Sequence, residues 1–271
     1  MSYEEEIEVW RRKRLAKLTA PAGWLSLVGL SWLREGENSL GSDPSSDVVL
    51  PGTAPPHVGS IDVSGGKATA RFLPGSGVTN EGNKVTRLAL KDDLDGEPAE
   101  LALGRLRFQV INRGGSLALR VRDLDRPAAR SLETIPHFPV DRRWRVEARF
   151  APYEPPRRML LPTVIGPGQD YRIMGRLSFE VDRKPMTLEV YQELDERYLF
   201  IVFGDLTNGE ETYGGGRYLY ASHPGPEAPV VLDFNRAYNP PCVFTPHATC
   251  VLAQPENRLP IRIEAGELSY P

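Results

Sequence analysis

Two cysteines and four histidines in 271 residues leave little from which to build a disulfide framework or a metal cage. No apolar run reaches the roughly 18 residues of a spanning helix, so no membrane association is expected. There is no basic excess either. Lys and Arg total 33 against 36 Asp and Glu, a formal net charge of -3. A nucleic-acid binder usually carries the opposite balance, so nucleic acid is not an expected partner. The basic runs RRKR (11–14) and DRRWR (141–145) are local. The first follows Glu4, Glu5 and Glu6 and reads as a solvated helix face. The N-terminus, MSYEEEIEVW, is acidic and has no apolar core of a secretory signal. With so few cysteines, the expected location is the cytoplasm, with thiols reduced. The local signatures of common catalytic machinery (G-x-S-x-G, H-E-x-x-H, a Walker loop, a dinucleotide fingerprint) are missing. The reading assigns no metal and no cofactor.

What is abundant is punctuation. Glycine and proline each occur 25 times, which implies many short elements joined by turns and favours β architecture. One helix is expected, over residues 3–18. Ile7, Trp10, Leu15 and Leu18 fall on one face, three glutamates open it, and Pro21 ends it. Less than about a fifth of the chain is expected to be helical, below the norm for globular domains. Period-two alternation then predicts strands at 38–41, 47–50, 59–63, 68–72, 84–90, 101–103, 106–112 and 117–122. Residues 123–140 lose the alternation and carry prolines, as a connection between domains would. Strands resume at 144–153, 158–165, 171–181, 186–194, 198–203, 212–221, 230–234 and 259–265. The expected organisation is an N-terminal helix (1–20), a β-sandwich (21–122), the connection (123–140) and a second antiparallel β domain, barrel or sandwich (141–271).

The segment 233–257 concentrates polar and stiff residues. Ordering such a loop costs roughly 1–2 kcal/mol per residue, and its prolines reduce that cost by restricting the unfolded chain. A preorganised polar loop is a candidate recognition surface. Asp233, Asn235, Tyr238, Asn239, Cys242, His247, Glu256 and Asn257 are its candidate ligand-binding residues. The first functional reading is a non-enzymatic protein that binds a small molecule or a peptide. Cys242, His247 and Cys250 form C-x4-H-x2-C, three ligand types that zinc favours but not a complete set. The residues read first as two buried free thiols packing the loop. A hydrolase using Cys242, His247 and Asp233 is the alternative, and an adaptor for a protein partner is a third. The glycine run 214–216 reads as a close backbone approach.

Four strings carry a family resemblance: YGGGRYLY (213–220), DFNRAYNPPC (233–242), PENRLPIRIEAGE (255–267) and GWLSLVGLSWLREGENSLGSDPSSDVVLP (23–51). Together they resemble a widespread prokaryotic family classed as a domain of unknown function, number 1684. That resemblance implies no activity. In the first half Gly41, Asp47, Val48, Leu50, His57 and Asn80 stand in the order of the motifs of forkhead-associated domains. This second resemblance implies a forkhead-associated-like β-sandwich. Phosphothreonine readers of that fold hold the phosphate with arginine, hydroxyl and backbone donors. Here Ser42 follows Gly41, and Ala54, Pro55 and Pro56 precede His57. The resemblance therefore implies the fold without the phosphate site, and His57 reads as a core or turn histidine.

Overall fold

The computed structural model describes residues 1–126, 131–192, 197–223 and 228–270. It is mostly β, with 45% strand and 13% helix, so the helical share stays under the expected fifth. The segment Met1–Lys17 groups with Glu133–Phe244 and Thr249–Pro271 in one compact unit; Leu18–Leu132 and Thr245–Ala248 form the other. Residues 127–130 of the expected connection lie outside the described residues, as do 193 and 194 at the end of one expected strand.

Helix α1 spans Tyr3–Thr19, with Glu4, Glu5 and Glu6 in its first turn and Lys17 in its last, both favoured by the helix dipole. Its inward stripe differs from the apolar one expected. Ile7 and Leu18 are fully buried, but Trp10 and Leu15 only partly. Arg11 and Arg14 complete the stripe, with side chains 17% and 12% exposed. Half of RRKR is thus not a solvated face. The reason is hydrogen bonding: Arg11 donates to the Phe138 carbonyl at 2.9 Å and Arg14 to the Asn239 carbonyl at 2.9 Å.

The unit built on residues 18–132 holds two sheets. One orders β1 (Leu27–Trp32), β11 (Ser116–Asp123), β10 (Leu106–Arg113), β9 (Leu101–Leu103), β6 (Thr79–Asn80) and β7 (Asn83–Lys84). The other orders β3 (Val48–Val49), β2 (Gly36–Gly41), β4 (Gly59–Ser64), β5 (Lys67–Phe72) and β8 (Arg87–Leu90). Pairing is antiparallel except between β2 and β3. Alternate residues of both sheets, such as Ile61 and Ala70 on one and Phe108 and Leu119 on the other, share a single core. The segment 84–90, expected as one strand, divides between the sheets. It leaves the first after Lys84 and joins the second at Arg87, with the Val85 N–H bonded to Val78 O and the Thr86 carbonyl to Phe72 N.

The other unit is a six-stranded antiparallel sheet in the order β16 (Arg217–Ser222), β15 (Tyr198–Phe203), β14 (Lys184–Gln192), β13 (Gln169–Val181), β12 (Arg145–Leu161) and β17 (Val230–Asp233). It curls until it is nearly closed like a barrel. Leu177, Leu188, Val190, Ile201, Leu219 and Leu232 fill the interior. The two strands expected at 144–153 and 158–165 are one long strand. Its register with β13 shifts between Pro152 and Arg157, so the prolines make an irregularity rather than an end.

The expected strand 259–265 does not form, although Ile263 and Ala265 are fully buried. Its first half pairs with the backbone of Gly204 and Leu206, through the Leu259 N–H (2.8 Å) and the Ile261 carbonyl (2.9 Å), and side chains take the place of a strand beyond it. The Arg217 guanidinium, itself wholly buried, donates to the carbonyls of Ile263 (2.9 Å) and Ala265. Pro260 also removes an N–H that a ladder would need. Among the described residues no helix is long and apolar enough to cross a membrane.

Candidate functional site

Three asparagines of the 233–257 segment are fully buried and bonded to the protein itself. Asn235 donates to the Asp141 carbonyl (2.9 Å) and the Tyr3 hydroxyl (2.9 Å), and accepts from the Asp141 N–H (3.1 Å). Asn239 donates from its backbone to Glu267 (2.7 Å) and from its amide to the Leu268 carbonyl (2.7 Å). Asn257 sits where β14 and β15 pair only at Tyr191↔Phe200 and Gln192↔Leu199. It accepts from the Glu189 N–H (2.7 Å) and donates to the carbonyls of Glu189 and Val202 (2.9 Å each). It therefore closes the ladder where the two strands part.

Asp233, at the end of β17, is buried. It accepts from the Tyr3 hydroxyl at 2.7 Å and pairs with Arg236 at 3.3 Å. Burial, and then the bond to Asp233, push the Tyr3 hydroxyl well above its ordinary range. Asp233 and Tyr238 line a cleft of about 640 Å³ between α1 and the strands β16 and β17. These two are the members of the expected set that the structure brings together there. Sequence reasoning missed most of the other walls. Trp10 and Lys17 come from α1, Arg145 from β12, Tyr198 from β15 and Tyr220 from β16. Alternation in YGGGRYLY is the signal that could have found Tyr220: Leu219 and Ala221 face the core, so Tyr220 faces out.

The cleft's aromatic side is layered. Tyr220 and Tyr238 lie near-parallel, 6.2 Å between ring centres at 16°, and Tyr198 meets Tyr220 edge-on at 6.4 Å. Arg14 covers Tyr238, its guanidinium carbon 4.5 Å from the ring centre. Arg14 is held in turn by Glu267 at 3.1 Å, a fully buried carboxylate whose pKa burial raises. Tyr238 is also fixed through its backbone, exchanging two bonds of 2.9 Å with Tyr218. Three cations, Lys17, Arg145 and Arg236, face the space with one carboxylate, Asp233.

The remaining candidates fall elsewhere. Glu256 is exposed in a short turn at Pro255–Asn257. His247 belongs to the other unit; burial, and then the Arg126 charge, lower its pKa. Cys242 and Cys250 are both free. The Cys242 N–H donates to the Cys250 sulfur at 3.2 Å, and the Cys242 thiol lies 3.6 Å from the Tyr213 hydroxyl. The thiol–thiol contact, and then burial, raise Cys250. The same contact, with the bond to Tyr213, lowers Cys242 against the opposing effect of burial. Among the described residues no group of three His, Cys, Asp or Glu is placed to hold a metal ion. In the glycine run, Gly216 has φ +98° and a Cβ there would lie 2.7 Å from the Phe203 carbonyl oxygen, so the run is a close backbone approach.

In the sandwich, Gly41 is fixed by crowding, since a Cβ would fall 1.8 Å from the Pro56 carbonyl oxygen. The Ser42 hydroxyl donates to the Ala54 carbonyl at 2.8 Å, and Asn80 donates to the Glu100 carbonyl at 3.0 Å. His57 is exposed, in the loop that leads into β4, and is not a core residue.

Comparison with known proteins places the curled sheet in a family. A family model matches residues 130–268, just over half of the chain. The chain belongs to the family described as Protein of unknown function (DUF1684). The matched span holds the cleft-lining strands and the strings 213–220, 233–242 and 255–267; the string at 23–51 lies outside it. Among solved structures, an uncharacterised protein of Haloarcula marismortui is similar at 28% identity and TM-score 0.44, over 53% of this chain and 80% of that one. A forkhead-associated domain, from a study of phosphothreonine-dependent interactions, is similar at 23% identity and TM-score 0.24, over 34% of this chain and 92% of that one. No curated protein matches the sequence.

Proposed function

We propose that this chain is a non-enzymatic cytoplasmic binding protein and that it holds a small molecule in the cleft between α1, β16 and β17. One observation carries the reading: a concave space of about 640 Å³ where four aromatic side chains and three cations converge. That size lies within the range of small-molecule pockets, roughly 300–1,000 Å³. Asp233 and Tyr238 belong to the site. Asn235 and Asn257 are its scaffold, because their amides are already engaged on both sides. Asn239 is held by its backbone N–H and its amide N–H, while its Oδ1 is buried without a hydrogen-bond partner. The hydrolase alternative draws no support from the thiols, since the polar contacts of Cys242 are Cys250 and Tyr213.

A thermal-shift screen of a metabolite library tests the proposal. Hits should raise the melting temperature of the wild-type protein and lose that effect in Tyr220→Ser and Trp10→Ala. Tyr220 is 41% exposed, so its replacement should leave the fold intact. Hits that act equally on both variants would overturn the cleft as the site.

A further inference from the structure

The cleft's charge and its rings together narrow the ligand. We infer that it is a planar ring bearing a carboxylate or a phosphate, an inference that rests on the cleft being the ligand site. The chain as a whole is acidic, at net -3, yet the cleft gathers three cations against one carboxylate. That carboxylate is already committed to Tyr3, Asn235 and Arg236. Among the described residues neither Lys17 nor Arg145 forms an ion pair with the protein. Arg236 is already paired with Asp233 through its Nε at 3.3 Å, so Lys17 and Arg145 are the cations left to answer a ligand. Unpaired cations around a concavity with apolar walls form a positive field that an anion can answer. Arginine adds a planar fork matched to carboxylate or phosphate oxygens.

The rings argue for a flat ligand. Tyr220 and Tyr238 are 6.2 Å apart and leave no slot between them, because an inserted ring needs two contacts of about 3.5 Å each. Tyr238 is also covered by Arg14. Tyr220, 41% exposed, already packs against Tyr238 and against Phe200 at 5.1 Å, so it offers a ligand only its outer edge. The main surfaces for stacking are Tyr198, 42% exposed, and Trp10 on the helix wall. Among the described residues Trp10 has no ring partner, and its indole N–H has no protein acceptor. It can both stack and donate. The bland rival is a solvated surface on which these side chains happen to neighbour one another.

Isothermal titration with matched probes decides between them. The pairs are benzoate and benzamide, indole-3-acetate and its amide, and adenosine monophosphate and adenosine. Acetate and inorganic phosphate alone are the ring-free controls. At least one ring anion should bind about tenfold or more tightly than its neutral counterpart, a ratio equivalent to about 1.4 kcal/mol. The carboxylate and phosphate arms show which group the cleft prefers. The ring-free anions should bind more weakly than the ring anions. The double variant Lys17→Gln/Arg145→Gln should erase the anion preference while melting as the wild type does. Neutral and anionic probes binding equally, with binding still lost in Tyr220→Ser, would overturn the anion inference and leave the cleft standing as the site. Probe binding unaffected by Tyr220→Ser would overturn both. No binding by any ring anion at millimolar concentration would overturn the inference alone, since the library screen judges the cleft independently.

Discussion

Asn257 shows at the residue scale how this protein uses its polar loop. Its amide completes three hydrogen bonds at a fully buried position, one of them to each carbonyl that the parting of β14 and β15 leaves open. Replacing it by alanine strands one N–H and two carbonyls in the interior. A buried polar group left without a partner costs about 1–3 kcal/mol, so Asn257→Ala should destabilise by about 3 kcal/mol or more. Urea denaturation measures this, and an unchanged midpoint would mean that the strands pair without the side chain. The residue type was legible in the sequence as an ordered polar group, but its partners were not. Glu189 and Val202 lie far from it along the chain, and nothing in the spacing of PENRLP names them. His137 makes a second case. Burial, and then the Arg11 charge, lower its pKa from 6.5 to about 4. The unfolded chain therefore takes up the proton first as pH falls. The stability this residue contributes is complete above pH 6.5 and drains away between there and about pH 4. The full shift would amount to about 3 kcal/mol, and partial exposure of the ring makes the real loss smaller. His137→Gln should flatten the acid limb of a stability-against-pH curve over that window. A limb unchanged in the variant would assign the pH dependence to other groups.

Among the elements, the informative one is the strand that does not form. Residues 259–265 alternate as a strand should, and Ile263 and Ala265 are buried as a strand's inward residues would be. Alternation reports burial on one side of an extended chain, and it cannot report what satisfies the backbone. Here the Ile263 and Ala265 carbonyls are satisfied by Arg217, in the GGGRY run whose arginine gave no hint of being buried. The guanidinium also pairs with Asp205 at 2.7 Å, both side chains fully buried. Asp205 in turn accepts from the Thr207 N–H (2.8 Å) and hydroxyl (2.6 Å). Arg217→Met leaves a buried carboxylate without its cation and two carbonyls without a donor. Removing one partner of a buried pair costs about 3–5 kcal/mol, and the single variant should lose at least that much. Arg217→Met/Asp205→Asn should recover part of the loss, because the stranded charge is gone. A double-mutant cycle in urea reads the difference. Additive losses would show that the pair contributes no coupling. Elements defined by one uninterrupted period were legible, as β4, β5, β10 and β11 show. Those depending on a partner were not. The segment 84–90 reads as one run, but which sheet each half joins is decided by Val78 and Phe72, outside the segment.

The whole molecule was legible where composition decides and illegible where distance along the chain decides. Abundant glycine and proline with short alternating runs favour β architecture, and the chain is mostly β. The cleft, by contrast, draws Trp10 and Lys17 from the first helix, Arg145 from β12 and Tyr220 from β16, and no motif spacing could assemble them. Asp233 and Tyr238 were visible only because they fall in a loop conspicuous for its polarity. Resemblance reaches further than spacing, yet motif order alone does not supply a phosphate site. A phosphothreonine site needs free donors and positive charge for a group bearing close to two negative charges. In this sandwich the Ser42 hydroxyl is spent on the Ala54 carbonyl, and the backbone N–H groups of Ser42 and Asp43 on the carbonyls of Pro55 and Pro56. Bonds from Ser45 and Ser39 hold the carboxyls of Asp43 and Asp47 below their ordinary range, so both are charged at neutral pH. Arg34, the cation beside them, is already paired with Asp47. A phosphate arriving here would meet two carboxylates and no uncommitted hydroxyl at position 42. The 271-residue chain should therefore show no saturable binding to a phosphothreonine peptide library by fluorescence anisotropy. Arg34→Ala should not change that result, because the arginine is not serving a phosphate. Micromolar binding that disappears when the peptides are dephosphorylated would overturn this account of the sandwich, and would mean that donors other than those at 42–57 hold the phosphate.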